Sequence, residues 1–274
     1  MNQVDSSFVG NNGVKIYAKK DIVTNPKASV VIVHGICEHL DRYDYLCEKL
    51  NKEGYNVYRY DARGHGRSEG KKGDLNDYQD YLLDLDKYID IVKEENPNSK
   101  LVLLGHSMGG LVSTSYACMF NNKIDYLALS GAANVIPKQA KALKFLPMFL
   151  IKNIMYKNNL GEGVCRDKEV VEKYNNDPLV LKKATMGLMK NVFVTGCNLV
   201  KDNISQIKVP TLVMHGKGDG IVSYTTAEWT YNNLTCEDKE LKVYDGLYHE
   251  IFNEVEKDVV IEDLINWLNK RVEG

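Results

Sequence analysis

Short apolar runs alternate with amphipathic segments along most of this chain. A run of about four to eight apolar, often β-branched residues is typical of a strand buried on both faces of a parallel sheet. The predicted strands are residues 7–9, 14–18, 29–33, 56–60, 101–104, 124–129, 210–215 and 239–244. The first two flank Asn11-Asn12-Gly13, a sequence that favours a type I′ turn, so we expect them to form a hairpin.

Between these strands, apolar residues recur at helical spacing, which predicts helices packed on the sheet. The predicted helices are residues 41–53, 78–95, 108–120 and 223–233, and a closing helix that runs through Lys270. Gly54 ends the first helix and Asn96-Pro97 the second, because glycine favours a helix C-terminus and the residue before proline disfavours helix. The alternation predicts an α/β fold with a mostly parallel sheet flanked by helices.

The alternation breaks between the sixth and seventh predicted strands. Residues 138–152 mix lysines with bulky apolar side chains, and no acidic residue lies between Asp125 and Glu162. We predict a helical cap segment, residues 132–196, inserted after the sixth strand into a core of residues 1–131 and 197–274. Its apolar face either packs on the body of the protein or touches a membrane surface, and the sequence favours the first.

Charge and cysteine usage exclude several classes of protein. The formal net charge of the 274 residues is -2, so we expect no general affinity for nucleic acid. The six cysteines show neither C-x-x-C spacing nor a cluster with histidine, which predicts reduced thiols and no metal site. The N-terminal residues have no signal-peptide pattern, and no apolar run approaches the roughly 18 residues of a membrane span. We therefore expect a cytoplasmic protein.

Candidate chemistry begins at the fifth predicted strand, which runs into Gly105-His106-Ser107-Met108-Gly109 and then a helix. A strand, a sharp turn with G-x-S-x-G and a helix form the nucleophile elbow of serine hydrolases. Side chains at positions 105 and 109 would crowd the strand against the helix, which explains the glycines. The turn predicts an exposed Ser107 hydroxyl and a Met108 N–H that faces negative charge at the helix N-terminus.

Two further loops complete a catalytic order. Asp219 follows the seventh predicted strand and His249 follows the eighth, so Ser107, Asp219 and His249 share one edge of a parallel sheet in the order nucleophile, acid, base. We predict that His249 takes the Ser107 proton and that Asp219 orients the imidazole. The N–H groups of Ile36 and Met108 are the predicted oxyanion donors.

Other acids and histidines fit these roles less well. His106 precedes the nucleophile and should point away from it, and His215 lies at a strand end before the acid. Asp202 and Asp245 are less well placed relative to strand ends than Asp219. Glu38 is in the wrong place for the chain order.

The remaining loop residues are expected to have structural roles. We predict that His34 and His39 anchor their loop through hydrogen bonds, and that residues 61–70 form a tightly hydrogen-bonded loop, since they lack the lysine and Ser/Thr of a phosphate-binding loop. Cys37 lies beside the predicted oxyanion loop, where we expect it to be open to thiol reagents.

Several motifs together resemble the monoacylglycerol lipase and lysophospholipase branch of the serine α/β hydrolases. They are VIVHGICEHLDRYDYL, YDARGHGRSEG, GHSMGG, DPLV at residues 177–180, VPTLVMHGKGDGIVS and VYDGLYHEIFNE. The resemblance implies an α/β-hydrolase fold, a triad of Ser107, Asp219 and His249, and an oxyanion hole at Ile36 and Met108. It also implies cleavage of single-chain acyl esters under an apolar cap, with no cofactor.

The leading hypothesis is a serine carboxylic-ester hydrolase that cleaves monoacylglycerols or similar lipid esters through an acyl-enzyme. A lysophospholipase is the nearest alternative, because cap lysines suit a phosphate head group, followed by a short-chain esterase or thioesterase. A non-catalytic binding member of the fold would be expected to have a broken triad, and all three residues are present. The partner is a small-molecule lipid ester, with transient membrane contact through the cap left open, as are acyl length, head group and oligomeric state.

Overall fold

A computed structural model describes residues 2–120 and 122–272 of the chain. Over these residues the chain forms ten strands. They are β1 (Asn2–Val9), β2 (Lys15–Ile22), β3 (Ala28–Val33), β4 (Tyr55–Tyr60), β5 (Lys100–His106), β6 (Tyr126–Ser130), β7 (Met155–Lys157), β8 (Lys183–Thr185), β9 (Thr211–Gly216) and β10 (Lys239–Tyr244). Over these described residues, eight strands form one sheet in the order β1-β2-β4-β3-β5-β6-β9-β10. Each of the eight predicted strands is present in this sheet.

The sheet is parallel except at one side. β4, β3, β5, β6, β9 and β10 are parallel to one another, whereas β1 pairs with β2, and β2 with β4, in antiparallel fashion. The carboxyl ends of parallel strands meet at one edge, where α/β proteins bind ligands. The loops after β3, β5, β9 and β10 therefore come together.

Helices cover both faces of the sheet. They are α1 (Asp44–Lys52), α2 (Gln79–Glu95), α3 (Met108–Met119), α4 (Met148–Ile151), α5 (Gly161–Val164), α6 (Lys168–Asn176), α7 (Met186–Lys190), α8 (Cys197–Asn203), α9 (Thr225–Asn233) and α10 (Lys257–Val272). Alternate residues of β3 enter opposite cores: Val31 and Val33 pack towards α2 and α3, while Val30 and Ile32 pack towards α1 and α10. This period of two in a buried strand fixes the register of the sheet.

The N-terminal hairpin forms, but its turn is not the two-residue type I′ turn that the sequence predicts. The last strand pair is Val9 with Lys15, and a 3₁₀ turn, Asn11–Gly13, lies between them. Asn12 and Gly13 do adopt positive φ angles of 55° and 78°. However, Asp84 of α2 accepts the Asn11 N–H at 2.6 Å, and this long-range hydrogen bond anchors a longer loop.

The segment between β6 and β9 is built from short pieces. It contains a 3₁₀ helix, Lys138–Phe145, the helices α4 to α7, and an antiparallel pair of β7 and β8. The predicted basic amphipathic stretch, residues 138–152, is thus interrupted by Pro147 and is not one helix. In the described part of the chain, no helix combines the length and the hydrophobicity of a membrane span.

Candidate active site

Ser107 lies in a strained turn between β5 and α3. Its φ of 54° and ψ of −117° are rare for any residue other than glycine. A Cβ at Gly105 would come within 2.4 Å of the Gly109 carbonyl oxygen, and one at Gly109 within 2.1 Å of the Val33 carbonyl oxygen. The two glycines thus let β3, β5 and α3 approach closely enough to hold the turn, as the sequence predicts.

Asp219 and His249 form a buried pair in the loops after β9 and β10. Asp219 Oδ2 lies 2.6 Å from His249 Nδ1. Asp219 Oδ1 accepts the backbone N–H groups of Ile221 at 2.8 Å and Val222 at 2.9 Å. His249 is 4% and Asp219 9% exposed, so little water competes for these bonds.

The loops of Ser107 and His249 lie against each other. The Ser107 N–H donates to the Ser130 carbonyl oxygen at 3.0 Å, and the next residue, Gly131, faces the imidazole: a Cβ there would lie 3.2 Å from His249 Cε1. The ring of His106 lies 4.7 Å from that of His249, measured between centroids. The fold thus gathers the three predicted residues at one edge of the sheet.

The loop after β3 approaches Ser107 from the other side. A Cβ at Gly35 would lie 3.1 Å from Ser107 Cβ. Among the described residues, the loops and turns contain many hydrogen bonds between backbone groups. The N–H groups of Ile36 and Met108 donate none of these bonds. Met108 is the first residue of α3, where N–H groups have no partner within the helix. Both groups are therefore available to an acceptor beside Ser107.

The ionisation of the pair suits a base held by a carboxylate. Burial alone would raise the pKa of the Asp219 carboxyl, but the charge of His249 and the hydrogen bonds from His215 and His249 hold that pKa well below its usual range. Burial lowers the pKa of His249, yet the charge of Asp219 and the hydrogen bond to it outweigh burial, so the pKa lies above its usual value. Burial and the neighbouring charge of His249 lower the pKa of His106 to about 3. His249 is therefore the basic histidine of the two.

A second histidine contacts Asp219, which the sequence analysis missed. His215 Nε2 lies 2.9 Å from Asp219 Oδ2, so the two histidines share one carboxylate oxygen. Its place before the acid in the chain argues against His215 as the base, but not against a contact with the acid. The sequence does contain a signal for this contact: His215 and Asp219 are four residues apart, with two glycines between them. A tight turn of this kind folds a loop residue back onto the end of the strand.

A buried network of charges links the loops on either side of the site. Glu38 accepts the Gly35 N–H at 2.5 Å and the Tyr43 hydroxyl at 2.8 Å, and Arg42 bridges Glu38 and Glu250, the residue after His249. Burial alone would raise the pKa of Glu38, but the charges of His106 and Arg42 lower it to about 2. Burial raises the pKa of Glu250 despite the opposing charge of Arg42. Glu38 is thus an anchor of the Gly35 loop.

The other loop residues have structural roles, as predicted, with one exception. His34 Nε2 accepts the Ala62 N–H at 2.9 Å, and His39 Nε2 lies 2.8 Å from Asp177 in the cap segment. Asp61 accepts two backbone N–H groups within residues 40–67. The expectation of a reagent-accessible Cys37 is wrong, because the residue is 3% exposed and burial raises the pKa of its thiol to about 12.

Two of the acids that fit the triad less well, Asp202 and Asp245, lie on the surface. Asp202 is exposed, and Asp245 forms a surface ion pair with Lys217 at 2.9 Å. In the described part of the chain, no group of three or more His, Cys, Asp or Glu side chains is arranged to hold a metal ion.

A mainly apolar cavity of about 370 Å³ lies between the cap segment and the Asp219 loop. Its lining residues are Pro137, Ala140, Leu143, Tyr156, Asn159, Leu160, Gly163, Met186, Met189, Phe193, Gly220 and Ile221. Its size is within the range of small-molecule sites. Gly220 and Ile221 directly follow Asp219, so the cavity borders the acid loop.

The chain is similar to known proteins over most of its length. A family model described as serine aminopeptidase, S33, matches residues 24–256. The chain belongs to this family. Among relatives of this S33 member, a monoacylglycerol lipase of Mycolicibacterium smegmatis is 33% identical over 271 residues, which cover 96% of each chain. Phospholipase YtpA of Bacillus subtilis is 30% identical over 86% of this chain and 93% of its own.

A solved structure of similar sequence has the same fold. The crystal structure of a monoacylglycerol lipase from Paleococcus ferrophilus superposes with a TM-score of 0.82 at 30% identity, covering 92% of this S33 chain and 98% of the lipase chain. The predictions of an α/β-hydrolase fold, of a serine ester hydrolase and of a likeness to monoacylglycerol lipases are confirmed.

Proposed function

We propose that the protein cleaves monoacylglycerols, or similar single-chain lipid esters, to a fatty acid and an alcohol. The observation that carries the proposal is the buried pair of Asp219 and His249 at 2.6 Å, next to a serine in a strained strand-to-helix turn. Ser107 is the nucleophile, His249 the general base and Asp219 the residue that orients it. This division of roles is that of a serine triad.

Acylation consumes the ester in two steps. Ser107 Oγ attacks the ester carbonyl carbon while His249 Nε2 takes the hydroxyl proton, and the carbonyl oxygen becomes an oxyanion. The N–H groups of Ile36 and Met108 donate to this oxyanion, and each such donor contributes about 3–4 kcal/mol in comparable sites. The tetrahedral intermediate then expels the alcohol, which receives the proton from His249, and an acyl-enzyme remains.

Deacylation repeats the chemistry with water. His249 takes a proton from water, the resulting hydroxide attacks the acyl carbonyl, and Ser107 leaves with the proton returned by His249. The charge of Asp219 stabilises the imidazolium in both half-reactions. Every step uses side chains and backbone groups of this chain alone, so the proposal includes no cofactor.

The cap segment, residues 132–196 as predicted, is proposed to cover the acyl chain. The apolar cavity under it supports a lipid acyl group, since alkyl chains gain free energy on leaving water. The relatives from Mycolicibacterium smegmatis and Paleococcus ferrophilus bear the name monoacylglycerol lipase, which supports glycerol as the alcohol. Six buried, unpaired cysteines support a cytoplasmic location within the same proposal.

We further propose that the cap segment touches a membrane surface transiently. Phe145 is 85% and Phe149 75% exposed, so the apolar side of this stretch is not fully packed on the body. In the described part of the chain, Lys138, Lys141 and Lys144 form no ion pair with a carboxylate. Exposed aromatic rings beside unpaired lysines suit an anionic lipid interface.

A lysophospholipase is the second candidate, and two observations favour it. A phospholipase of Bacillus subtilis matches most of the chain, and Lys141, Lys144 and Lys201 line one groove beside the cap segment. A phosphate head group would find three cations there. A glycerol head group needs none of them.

The test is kcat/KM on a long-chain monoacylglycerol, the matching lysophosphatidylcholine, a short acetate ester and an aminoacyl anilide. We expect the monoacylglycerol to be preferred, with Ser107→Ala as the blank. Preference for the lysophospholipid, lost in Lys141→Ala with Lys144→Ala, would replace the proposal with the second candidate. Turnover of only the acetate or only the anilide would contradict a lipid substrate.

A further inference from the structure

His215 is a fully buried histidine outside the proposed triad, and its ring contacts the carboxylate that orients the base. It lies in β9, four residues before Asp219. Its Nε2 is 2.9 Å from Asp219 Oδ2 and 2.9 Å from the Val222 carbonyl oxygen. Both neighbours are hydrogen-bond acceptors, so Nε2 carries a hydrogen and donates it.

The other ring nitrogen of His215 shows which atom accounts for a histidine at this position. His215 Nδ1 is buried and has no hydrogen-bond partner in the described part of the chain. A buried polar atom without a partner destabilises the folded state. An apolar ring of similar size would fill the same space without that penalty. The Nε2–H donor is therefore the feature that distinguishes histidine from a packing residue here.

The donor completes the set of hydrogen bonds that fixes the Asp219 carboxylate. Oδ1 accepts two backbone N–H groups, from Ile221 and Val222, and Oδ2 accepts from His215 and His249. Two of these donors belong to the same loop as Asp219, and His249 must itself be oriented by the carboxylate. Of the four donors, His215 is the one held in a strand of the sheet.

We propose that His215 is a positioning residue of the hydrolase: its Nε2–H holds Asp219 Oδ2 against His249 and ties the acid loop to β9. The inference rests on the proposed roles of Asp219 and His249. His215 touches neither substrate nor Ser107 in this scheme and acts through Asp219 and its loop. Its bond to the Val222 carbonyl holds the far end of the same loop.

The Nε2–H donor of His215 also reduces the negative charge of Asp219 that acts on His249. The charged and titratable groups that influence His249 are Asp219, Glu250, Glu38 and His106. A hydrogen-bond donor on Oδ2 withdraws negative charge from that oxygen. Without it, Asp219 would attract the His249 proton more strongly, and the base would be protonated up to a higher pH.

The test compares His215→Phe with His215→Gln in full pH profiles of kcat/KM on a soluble chromogenic ester. Phenylalanine keeps the ring volume without the donor, whereas the glutamine amide nitrogen reaches the position of Nε2. We expect His215→Phe to lower kcat about 10- to 100-fold with KM little changed, less than the roughly 10⁴-fold loss when a triad carboxylate is neutralised. Its acidic limb should move to higher pH, and His215→Gln should restore both.

Two outcomes would overturn the inference. One is wild-type kcat and an unmoved acidic limb in folded His215→Phe; the other is an equal loss in both variants, which would indicate packing alone. If His215→Phe does not fold, the Asp219–His249 proton resonance of His215→Gln and His215→Asn decides, with a wild-type position expected for glutamine only. An active Ser107→Ala would instead contradict the proposed function itself.

Discussion

The sheet edge around Ser107 and the cap segment above it are built in contrasting ways. At the edge, Ser107 is 5% exposed, and four N–H donors fix the Asp219 carboxylate. In the cap segment, short helices and a two-stranded sheet leave Phe145, Phe149 and Leu150 largely in solvent. Bond-making groups must be held to fractions of an ångström, whereas a surface that admits a flexible chain need not be.

Polar contacts join the two regions at several loops. The Cys37 carbonyl accepts the Leu181 N–H at 2.8 Å, and the Arg42 guanidinium faces the Tyr174 ring at 4.8 Å. Further hydrogen bonds join the cap segment to the loops after β4 and β10. Substitutions away from these contacts can still perturb the edge and the cap segment separately.

Removal of the nucleophile should abolish turnover without affecting the cap segment. We expect Ser107→Ala to lower kcat about 10⁶-fold, as found for loss of a triad serine. Ser113→Ala is the matched control, because Ser113 is buried in α3 and its hydroxyl has no partner in the described chain. Steady-state kinetics on a monoacylglycerol check this. Substantial activity in Ser107→Ala would remove Ser107 from the mechanism.

A methyl group at Gly109 should destabilise the edge itself. Its Cβ would meet the Val33 carbonyl oxygen at 2.1 Å, and backbone cannot move aside as a side chain can. We expect Gly109→Ala to lower the free energy of unfolding by about 2–4 kcal/mol. Urea denaturation measures the change, and Gly220→Ala, where a Cβ meets nothing within 4 Å, should differ little from wild type. Equal stability of the two variants would contradict the packing argument.

The cap segment should lose lipid affinity without losing its fold. We expect Phe149→Ser to weaken binding to anionic vesicles about tenfold, since burial of a phenylalanine side chain contributes about 1.5–3 kcal/mol and an interface buries only part of it. Met119→Ser is the control, because Met119 is 52% exposed at the far end of α3. Sedimentation with vesicles measures binding. Equal loss in both variants, or no loss, would argue against membrane contact through the cap segment.

The dependence of kcat/KM on pH should reflect the titration of His249, which lies at the sheet edge and not in the cap segment. Only neutral His249 can accept the Ser107 proton, and its pKa lies above the ordinary value of 6.5. Activity should therefore fall as the pH drops through that raised pKa, so kcat/KM at pH 6.5 should be below half of its plateau. The melting temperature at each pH controls for unfolding. An acidic limb centred below pH 6.5 would mean that another group limits the rate.

The core was largely predictable from the sequence because its signals are local. Buried runs such as residues 29–33 mark strands, and Gly105 and Gly109 mark the turn that holds Ser107. The order of Ser107, Asp219 and His249 then follows from the rule that parallel strands end at one edge. Where a pattern within a dozen residues decides the structure, the sequence is enough.

Contacts between residues that are far apart in the sequence could not be predicted. Arg42 pairs with Glu250 across 208 positions, and no periodicity links two such side chains. The cap segment resisted prediction for another reason: its pieces are too short for helical or strand periodicity to emerge, as in α4 and β7. The contact of His215 with Asp219 is local in the sequence, but the expected order of triad residues drew attention only to histidines after the acid.

The burial of all six thiols has a practical consequence for following the cap segment in solution. Each native cysteine is shielded, and burial raises the pKa of Cys37 and of Cys47 to about 12, so their thiolates are scarce at neutral pH. A cysteine introduced at the exposed position 149 would be the preferred target for a maleimide dye or spin label, without removal of any native residue. Distances from that label to a second one on α10 would then report in real time whether the cap segment moves when lipid binds.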